Sequence, residues 1–174
     1  NRGGQALYLG TNYDTHPYRL YAKYGFQGVE PRSGFMRWFA HDQESFESAA
    51  FAPAKTRHES LAFQHWPALP ALAMMNHPAR IRIANMNVIN ICSPESGSLS
   101  FIKAMDGKEH DLESSASRAW LAISEKSNLP VAIASLKPDT LFGEQVDIAD
   151  LFCAPGFEAD LPKLYEKLQP NRER

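Results

Sequence analysis

The sequence has few of the features that would place it outside ordinary globular proteins. It contains two cysteines, Cys92 and Cys153, which lie too far apart to form a CxxC pattern. Two distant cysteines without this pattern predict buried thiols in a reducing compartment. No apolar run approaches the ~18 residues that a membrane-spanning helix needs, and no signal peptide is visible. We therefore predict a cytoplasmic protein without a membrane partner.

An excess of positive charge is also missing. Eighteen Lys and Arg are balanced by twenty Asp and Glu, which gives a net charge of −2. Because nucleic-acid-binding surfaces need clustered basic residues, we predict no nucleic-acid partner. His58-Glu59 lacks the second histidine of an HExxH zinc site, so we also expect no metal. Neither a Walker-type phosphate loop nor a GxSxG motif occurs.

The first forty residues predict a strand, a helix and a β-hairpin. The apolar run Ala6–Gly10 (ALYLG) is typical of a buried strand. Pro17 suits the first turn of a helix, and Gly25 ends that helix as a C-terminal glycine does. Two strand-like segments follow at 26–30 and 35–39, joined by the turn-forming sequence PRSG.

The middle of the chain changes character twice. Residues 41–56 are acidic at first and then rich in Ala and Pro, which predicts a linker. Residues 57–75 carry apolar side chains at helical spacing, but two prolines interrupt them, so we expect two short helical pieces. The alternating sequence over 80–92 predicts a strand, and 94–105 predicts a helix.

The last third of the chain predicts strands followed by a helix. A polar turn region is expected over 108–117, and the strands are separated by the turn-forming sequences EKSN and KPDTLFGE. The predicted strands and final helix are 119–124, 130–136, 146–153 and 160–168. The predicted fold class is α/β in the broad sense and α+β in the layer sense, with helices flanking a sheet.

The segment ALYLGTNYDTHPYRLYAKYGF, residues 6–26, resembles the last third of the GNAT acetyltransferase fold, in which an LY–xx–x–GF segment follows the central strand. VDIADLFCAP resembles the fourth strand of that fold, and GFEADLPKLYEKL resembles the loop and helix over which the coenzyme A pyrophosphate sits. The resemblance implies a C-terminal part of a GNAT-like domain at 1–40, a linker at 41–56 and a GNAT-like α/β domain at 57–174.

Two arrangements of these parts are open. In a tandem protein, 1–40 ends one domain and 57–174 begins another, and the coenzyme loop of the first domain is expected upstream of Asn1. In a permuted domain, the two parts complete one mixed, mostly antiparallel sheet. The second arrangement is physically attractive, because an isolated helix and hairpin cannot bury an apolar face alone.

The resemblance implies transfer of an acetyl group from acetyl-CoA to an amine. Tyr21, four residues before Gly25, matches the tyrosine that protonates the departing thiolate in that family. A phenol with a pKa near ~10 is a suitable donor for this step. Asp14 falls where the family has an asparagine that contacts the coenzyme, and Asn12, two residues away, is the substitute candidate.

The predicted coenzyme loop departs from the family pattern, an Arg or Gln followed by Gly-x-Gly/Ala. Cys153 and Gly156 are the coenzyme-binding candidates there, but only one glycine is present and the acids Glu158 and Asp160 follow it. Carboxylates repel a pyrophosphate by ~1 kcal/mol or more per close pair. The same acids also suit the start of a helix.

Asp150 is the candidate catalytic base. It shares a predicted strand face with Val146, Ile148 and Phe152, and an acid among apolar neighbours has a raised pKa. Paired with an arginine or turned to an edge, it would be structural. The alternative function is a degenerate, non-catalytic GNAT-like domain that acts as a scaffold, a dimer interface or a small-ligand binding module. The acidic loop favours this alternative, and Tyr21 favours the enzyme. The acceptor amine and a homodimer are left open.

Overall fold

Two antiparallel sheets, one from each part of the chain, organise the fold. The computed structural model describes residues 4–78, 81–106 and 117–169. These ranges contain a three-stranded sheet, a four-stranded sheet, a two-stranded pair and five α-helices, so the predicted α+β class is confirmed. None of the helices in these ranges is both long and apolar enough to cross a membrane.

The N-terminal sheet forms from local signals in the first forty residues. Its elements in chain order are β1 (Ala6–Gly10), α1 (His16–Lys23), β2 (Gln27–Gly28) and β3 (Phe35–Phe39). The strands are arranged in the order β1-β3-β2. Gly25 has a φ of +87°, and its N–H donates to the carbonyl of Ala22, so it ends α1 as predicted. The strand predicted at 26–30 is shorter, because the chain begins to turn at Glu30, whose carbonyl accepts the N–H of Ser33.

The predicted linker, 41–56, is helical in its middle. Helix α2 spans Gln43–Ala50, and the Asp42 carboxylate caps it by accepting the N–H of Ser45 at 2.8 Å. The ring of Phe46 on this helix packs against the ring of Phe39 on β3, with 5.5 Å between their centres. The Ala-rich composition predicted a linker, but the Asp42 cap, the Phe46 ring contact and the buried Ala50 all support a helix here.

The second part of the chain builds the C-terminal sheet and the helices that cover it. Its elements in chain order are β4 (Thr56–Ser60), a 3₁₀ helix (Phe63–Ala68), α3 (Leu69–Ala73), β5 (Arg82–Ile83), β6 (Val88–Ile89), α4 (Glu95–Met105), β7 (Arg118–Ser124), β8 (Pro130–Leu141), β9 (Glu144–Cys153) and α5 (Leu161–Leu168). The C-terminal sheet has the order β4-β7-β8-β9, and every pairing in it is antiparallel.

Two predictions for the middle of the chain are wrong in part. The start of the stretch 57–75 belongs to β4, and the two short helical pieces come only after it. The single strand predicted over 80–92 is instead a pair of two-residue strands, because Asn87 takes a left-handed conformation between them. Arg80 and the predicted turn 108–117, apart from Ser117, lie outside the described residues. Helix α4 confirms the prediction over 94–105.

The hydrophobic core lies against β7 and β8. All six residues from Pro130 to Ser135 are buried, which means that both faces of β8 are covered. Helix α5 contributes Leu164 and Leu168 to this core. In the described parts of the chain the two sheets share no hydrogen-bonded edge. They do not form the single sheet that a permuted domain requires.

Strands β8 and β9 continue beyond β7 as a two-stranded arm. Pairing of β8 with β7 ends at Leu136, whereas pairing of β8 with β9 continues to Leu141 and Glu144. Phe142 and Gly143 form the turn, with φ values of 55° and 84°, as a type I′ turn requires. The Phe142 side chain is fully exposed. The predicted turn KPDTLFGE is therefore mostly strand.

Candidate functional site

A cavity lies between the N-terminal sheet and the helical segment that follows β4. Its volume is about 720 Å³, within the range of pockets that hold small organic ligands. Five segments surround it: β1, α2, the 3₁₀ helix with α3, the start of α4, and the turn after β7. The larger side chains in its wall are Tyr8, Phe46, Trp66 and Lys126. We call it the β1 cavity.

Local hydrogen bonds fix Trp66 in the cavity wall. Its indole N–H donates to the carbonyl oxygen of Glu95 at 2.9 Å. The preceding residue, His65, accepts the N–H of Ala62 at its Nδ1 atom, at 3.0 Å. Its Nε2 atom therefore carries the proton and donates to the Glu59 carboxylate at 2.9 Å. This wall of the cavity is preformed.

Tyr8, which also lines the cavity, carries a hydroxyl that is buried away from the cavity space. Its hydroxyl is buried and has no hydrogen-bond partner within the described residues. Burial, and then the charge of Glu47, raise the pKa of Tyr8, while Arg37 lowers it by a smaller amount. The hydroxyl therefore stays protonated. Its charged neighbours are otherwise engaged, since Arg37 donates to the carbonyl of Met74 at 2.9 Å and Glu47 accepts the N–H of Asn76 at 3.0 Å.

The predicted residues Asn12, Asp14 and Tyr21 lie on the loop and helix after β1. Tyr21 is in the last turn of α1, half-buried, with its ring 5.6 Å from the ring of Phe26. Asp14 is exposed in a left-handed conformation and pairs with Arg19 at 3.0 Å, which lowers the pKa of the Asp14 carboxyl. The carbonyl of Asn12 accepts the hydroxyl of a neighbouring threonine. None of these three residues lines the β1 cavity.

In the predicted coenzyme loop, an acidic side chain of the loop accepts the backbone N–H that a phosphate would need. Gly156 has a φ of +89°, and its N–H donates to the Glu158 carboxylate at 3.0 Å. A pyrophosphate would need that N–H and would meet a negative charge instead. Burial, and then the charges of Glu158 and Asp160, raise the pKa of the Cys153 thiol. The residues from 153 to 160 do not fit a bound pyrophosphate.

A polar cluster that the sequence did not predict lies beside this loop. One oxygen of the buried Asp160 carboxylate accepts the hydroxyl of Thr56 and the Nε2 atom of His58, both at 2.9 Å. The Lys163 ammonium lies 3.8 Å from the same oxygen. These contacts attach β4 to the start of α5. No local sequence signal connects them, because about a hundred residues separate the two segments.

Asp150 lies on β9 with the predicted strand face, but its partner is a backbone group and not an arginine. Its carboxylate accepts the N–H of Asn85 at 2.7 Å. The Asn85 amide in turn donates to the Ser135 hydroxyl and the Ile148 carbonyl, each at 3.0 Å. This network holds the turn between β5 and β6 on the C-terminal sheet. Asp150, Cys153 and Gly156 also lie outside the wall of the β1 cavity.

Metal binding has no visible basis within residues 4–78, 81–106 and 117–169. No group of three or more His, Cys, Asp or Glu side chains is close enough there to hold an ion. No protein-family model, curated protein or solved structure matches the chain. Two places remain as candidate functional sites: the loop and helix that carry Tyr21, and the β1 cavity.

Proposed function

We propose that the chain is part of an acyl-CoA-dependent N-acyltransferase that transfers an acetyl group from acetyl-CoA to an amine. The observation that carries this proposal is the geometry of residues 6–26. A strand leads through an open loop into a helix that Gly25 ends, and the half-buried Tyr21 lies in the last turn of that helix. This is the setting that the GNAT resemblance implies for a tyrosine that protonates the leaving thiolate.

The C-terminal sheet gives weaker support. Its strands follow one another as an antiparallel set in which β9 comes last, and helix α5 follows β9 directly. The resemblance implies this order for the first half of such a domain. However, the contact between Gly156 and Glu158 opposes a pyrophosphate at this loop. The coenzyme contacts are therefore proposed at Asn12 and Asp14, Tyr21 is the proposed acid, and Cys153 and Gly156 take part in no step.

The proposed chemistry needs one acid and one base. The amine nitrogen attacks the thioester carbonyl, an N–C bond forms, and the C–S bond breaks. Tyr21 gives its phenolic proton to the leaving thiolate. A carboxylate takes the proton that the amine loses, and Asp150 remains the candidate base. A cytoplasmic location goes with this reaction and with two cysteines that form no disulfide.

A second candidate function is a small-ligand binding module. The β1 cavity favours it, because this preformed space of about 720 Å³ contains none of the predicted catalytic residues. The acids at 158 and 160 favour it as well. In this function the GNAT-like parts serve as a frame for the cavity and carry out no acyl transfer.

Acetyl transfer to a panel of amines, measured with Tyr21→Phe, tests the first proposal. The variant removes the proton donor but keeps the ring, so we expect a rate loss of about 10²-fold or more with unchanged acetyl-CoA affinity by calorimetry. Tyr24→Phe is the matched control, because Tyr24 is 71% exposed and three residues away. An unchanged rate for Tyr21→Phe would remove Tyr21 from the mechanism. Absence of both binding and turnover in the parent chain would favour the binding module.

A further inference from the structure

Within the described residues, no other strand pairs with the outer edge of β1. β1 ends the strand order β1-β3-β2 of the N-terminal sheet. At its two ends, the carbonyl of Gln5 accepts the N–H of Ala40, and the N–H of Thr11 donates to the carbonyl of Gly34. In an antiparallel pair, such bonded positions alternate along the strand. The N–H and C=O groups of Ala6 and Tyr8 therefore point away from β3.

The β1 cavity reaches this edge. Its wall includes four consecutive residues of the chain, from Gln5 to Tyr8. Successive side chains of a strand point to opposite faces. A cavity that touched only one face of β1 would contact every second residue, so contact with all four shows that it lies along the edge of the strand. The free N–H and C=O groups of Ala6 and Tyr8 therefore border an empty, largely apolar space.

We propose that the β1 cavity binds an extended peptide, which pairs with the free edge of β1 as an added strand. This inference does not depend on acyl transfer. The backbone donors and acceptors along this edge determine which kind of ligand fits. Ala6 and Tyr8 each offer one donor and one acceptor, and they are spaced by about 6.8 Å, the two-residue repeat of a strand. A peptide backbone supplies the matching pairs of donors and acceptors at the same repeat.

The rest of the cavity fits the side chains and the end of such a peptide. Phe46 and Trp66 provide apolar surface for the side chains on one face of the added strand. The wall contains one basic residue, Lys126 in the turn after β7, and one acid, Glu95 at the start of α4. Lys126 suits the carboxylate of a peptide C-terminus.

Hydrogen exchange of single backbone amides in the full chain tests the proposal. The probe is acetyl-Ala-Val-Ala-Val with a free carboxylate. We expect the peptide to slow exchange of the Ala6 and Tyr8 amides by about tenfold or more, because pairing removes them from water. The Leu7 and Leu9 amides already bond to β3, so their exchange should stay constant and serves as the internal reference.

Two controls separate edge pairing from simple burial of apolar groups. The same peptide with N-methylated amides keeps its side chains but loses its backbone donors, and should bind at least tenfold more weakly. Ala6→Pro removes one free N–H without breaking the ladder to β3, and should weaken the unmodified peptide to a similar degree. Ala6→Ser keeps that N–H and should bind normally. Unchanged protection of Leu7 and Leu9 in Ala6→Pro verifies that the sheet is intact.

Three outcomes would overturn the proposal. The first is equal binding of the N-methylated peptide, which would make the cavity a nonspecific apolar site. The second is unchanged exchange at Ala6 and Tyr8 at millimolar peptide concentration. The third is protection of both amides without peptide that grows with protein concentration, because a second copy of the chain would then cover the edge.

Discussion

The two sheets differ in how completely the chain covers them. In the C-terminal sheet, β8 is buried on both faces over residues 130–135. Leu121 and Ile133 of this sheet, and Leu164 of the covering helix α5, are no more than 1% exposed. In the N-terminal sheet, the strands are mostly half-buried and α1 buries no residue fully. The C-terminal sheet therefore contains its own core, whereas the N-terminal sheet depends on what packs against it.

The contacts between the two parts are polar as well as apolar. Arg37 of β3 donates to the carbonyl of Met74, and Glu47 of α2 accepts the N–H of Asn76. These bonds attach the N-terminal sheet and α2 to the end of the α3 segment. A thin sheet held by a few long-range bonds is the part of the molecule that we expect to open first.

The largest effect should come from shortening a core side chain of the C-terminal part. Leu164→Ala removes a side chain with 0% exposure, and we expect it to lower the free energy of unfolding by about 2–5 kcal/mol. Chemical denaturation gives this value. Leu20→Ala in α1 is the matched control, because Leu20 is 42% exposed and should lose less than about 1 kcal/mol. Equal losses would contradict the contrast between the two parts.

A smaller effect is expected from loosening the contact between the parts. Arg37→Met keeps most of the apolar stem but leaves the Met74 carbonyl without its donor, at a cost of about 1–3 kcal/mol. Amide exchange should rise across β1 and β3 and stay constant in β7 and β8. Arg19→Met should change neither, because its partner Asp14 is exposed. Exchange that rose equally in both sheets would show that they unfold as one unit.

The smallest effect concerns the cap of α2. Hydrogen bonds from the N–H and hydroxyl of Ser45 lower the pKa of Asp42 below its unfolded value. A lowered pKa in the folded state stabilises the fold above pH ~4 and loses that contribution as the pH falls through the folded pKa. Asp42→Asn caps the helix but does not titrate. The unfolding midpoint of the parent should therefore fall more than that of the variant between pH 5 and 2. Parallel curves would show that Asp42 does not act in this way.

The sequence predicted elements whose signals are local. Pro17 and Gly25 marked both ends of α1, and the apolar runs of β7 and β8 marked strands that are buried. The sequence-based predictions were wrong where one short polar residue starts a helix or turns the backbone. Asp42 orders a helix inside an apparent linker, and Asn87 divides an apparent strand.

The candidate site was less accessible to sequence reasoning. Tyr21 could be placed on its helix because a glycine and a phenylalanine follow it at a fixed spacing. The β1 cavity has no such signature, because five separate segments form its wall. The contact of Asp160 with His58 likewise joins residues that no local pattern connects. The catalytic roles of Tyr21 and Asp150 stay predictions.

The Asp160 cluster also has a consequence for the order of folding. Asp160 contacts Thr56, which is 104 positions earlier in the chain, and His58, which is 102 positions earlier. In addition, β4 pairs with β7, and several helices lie between these two strands in the sequence. Closing such long loops slows folding, whereas hairpins and single helices form within microseconds. We therefore expect the β8–β9 hairpin and α1 to form early and β4 to join the sheet last. Until then, the outer edge of β7 is open to pairing with other chains.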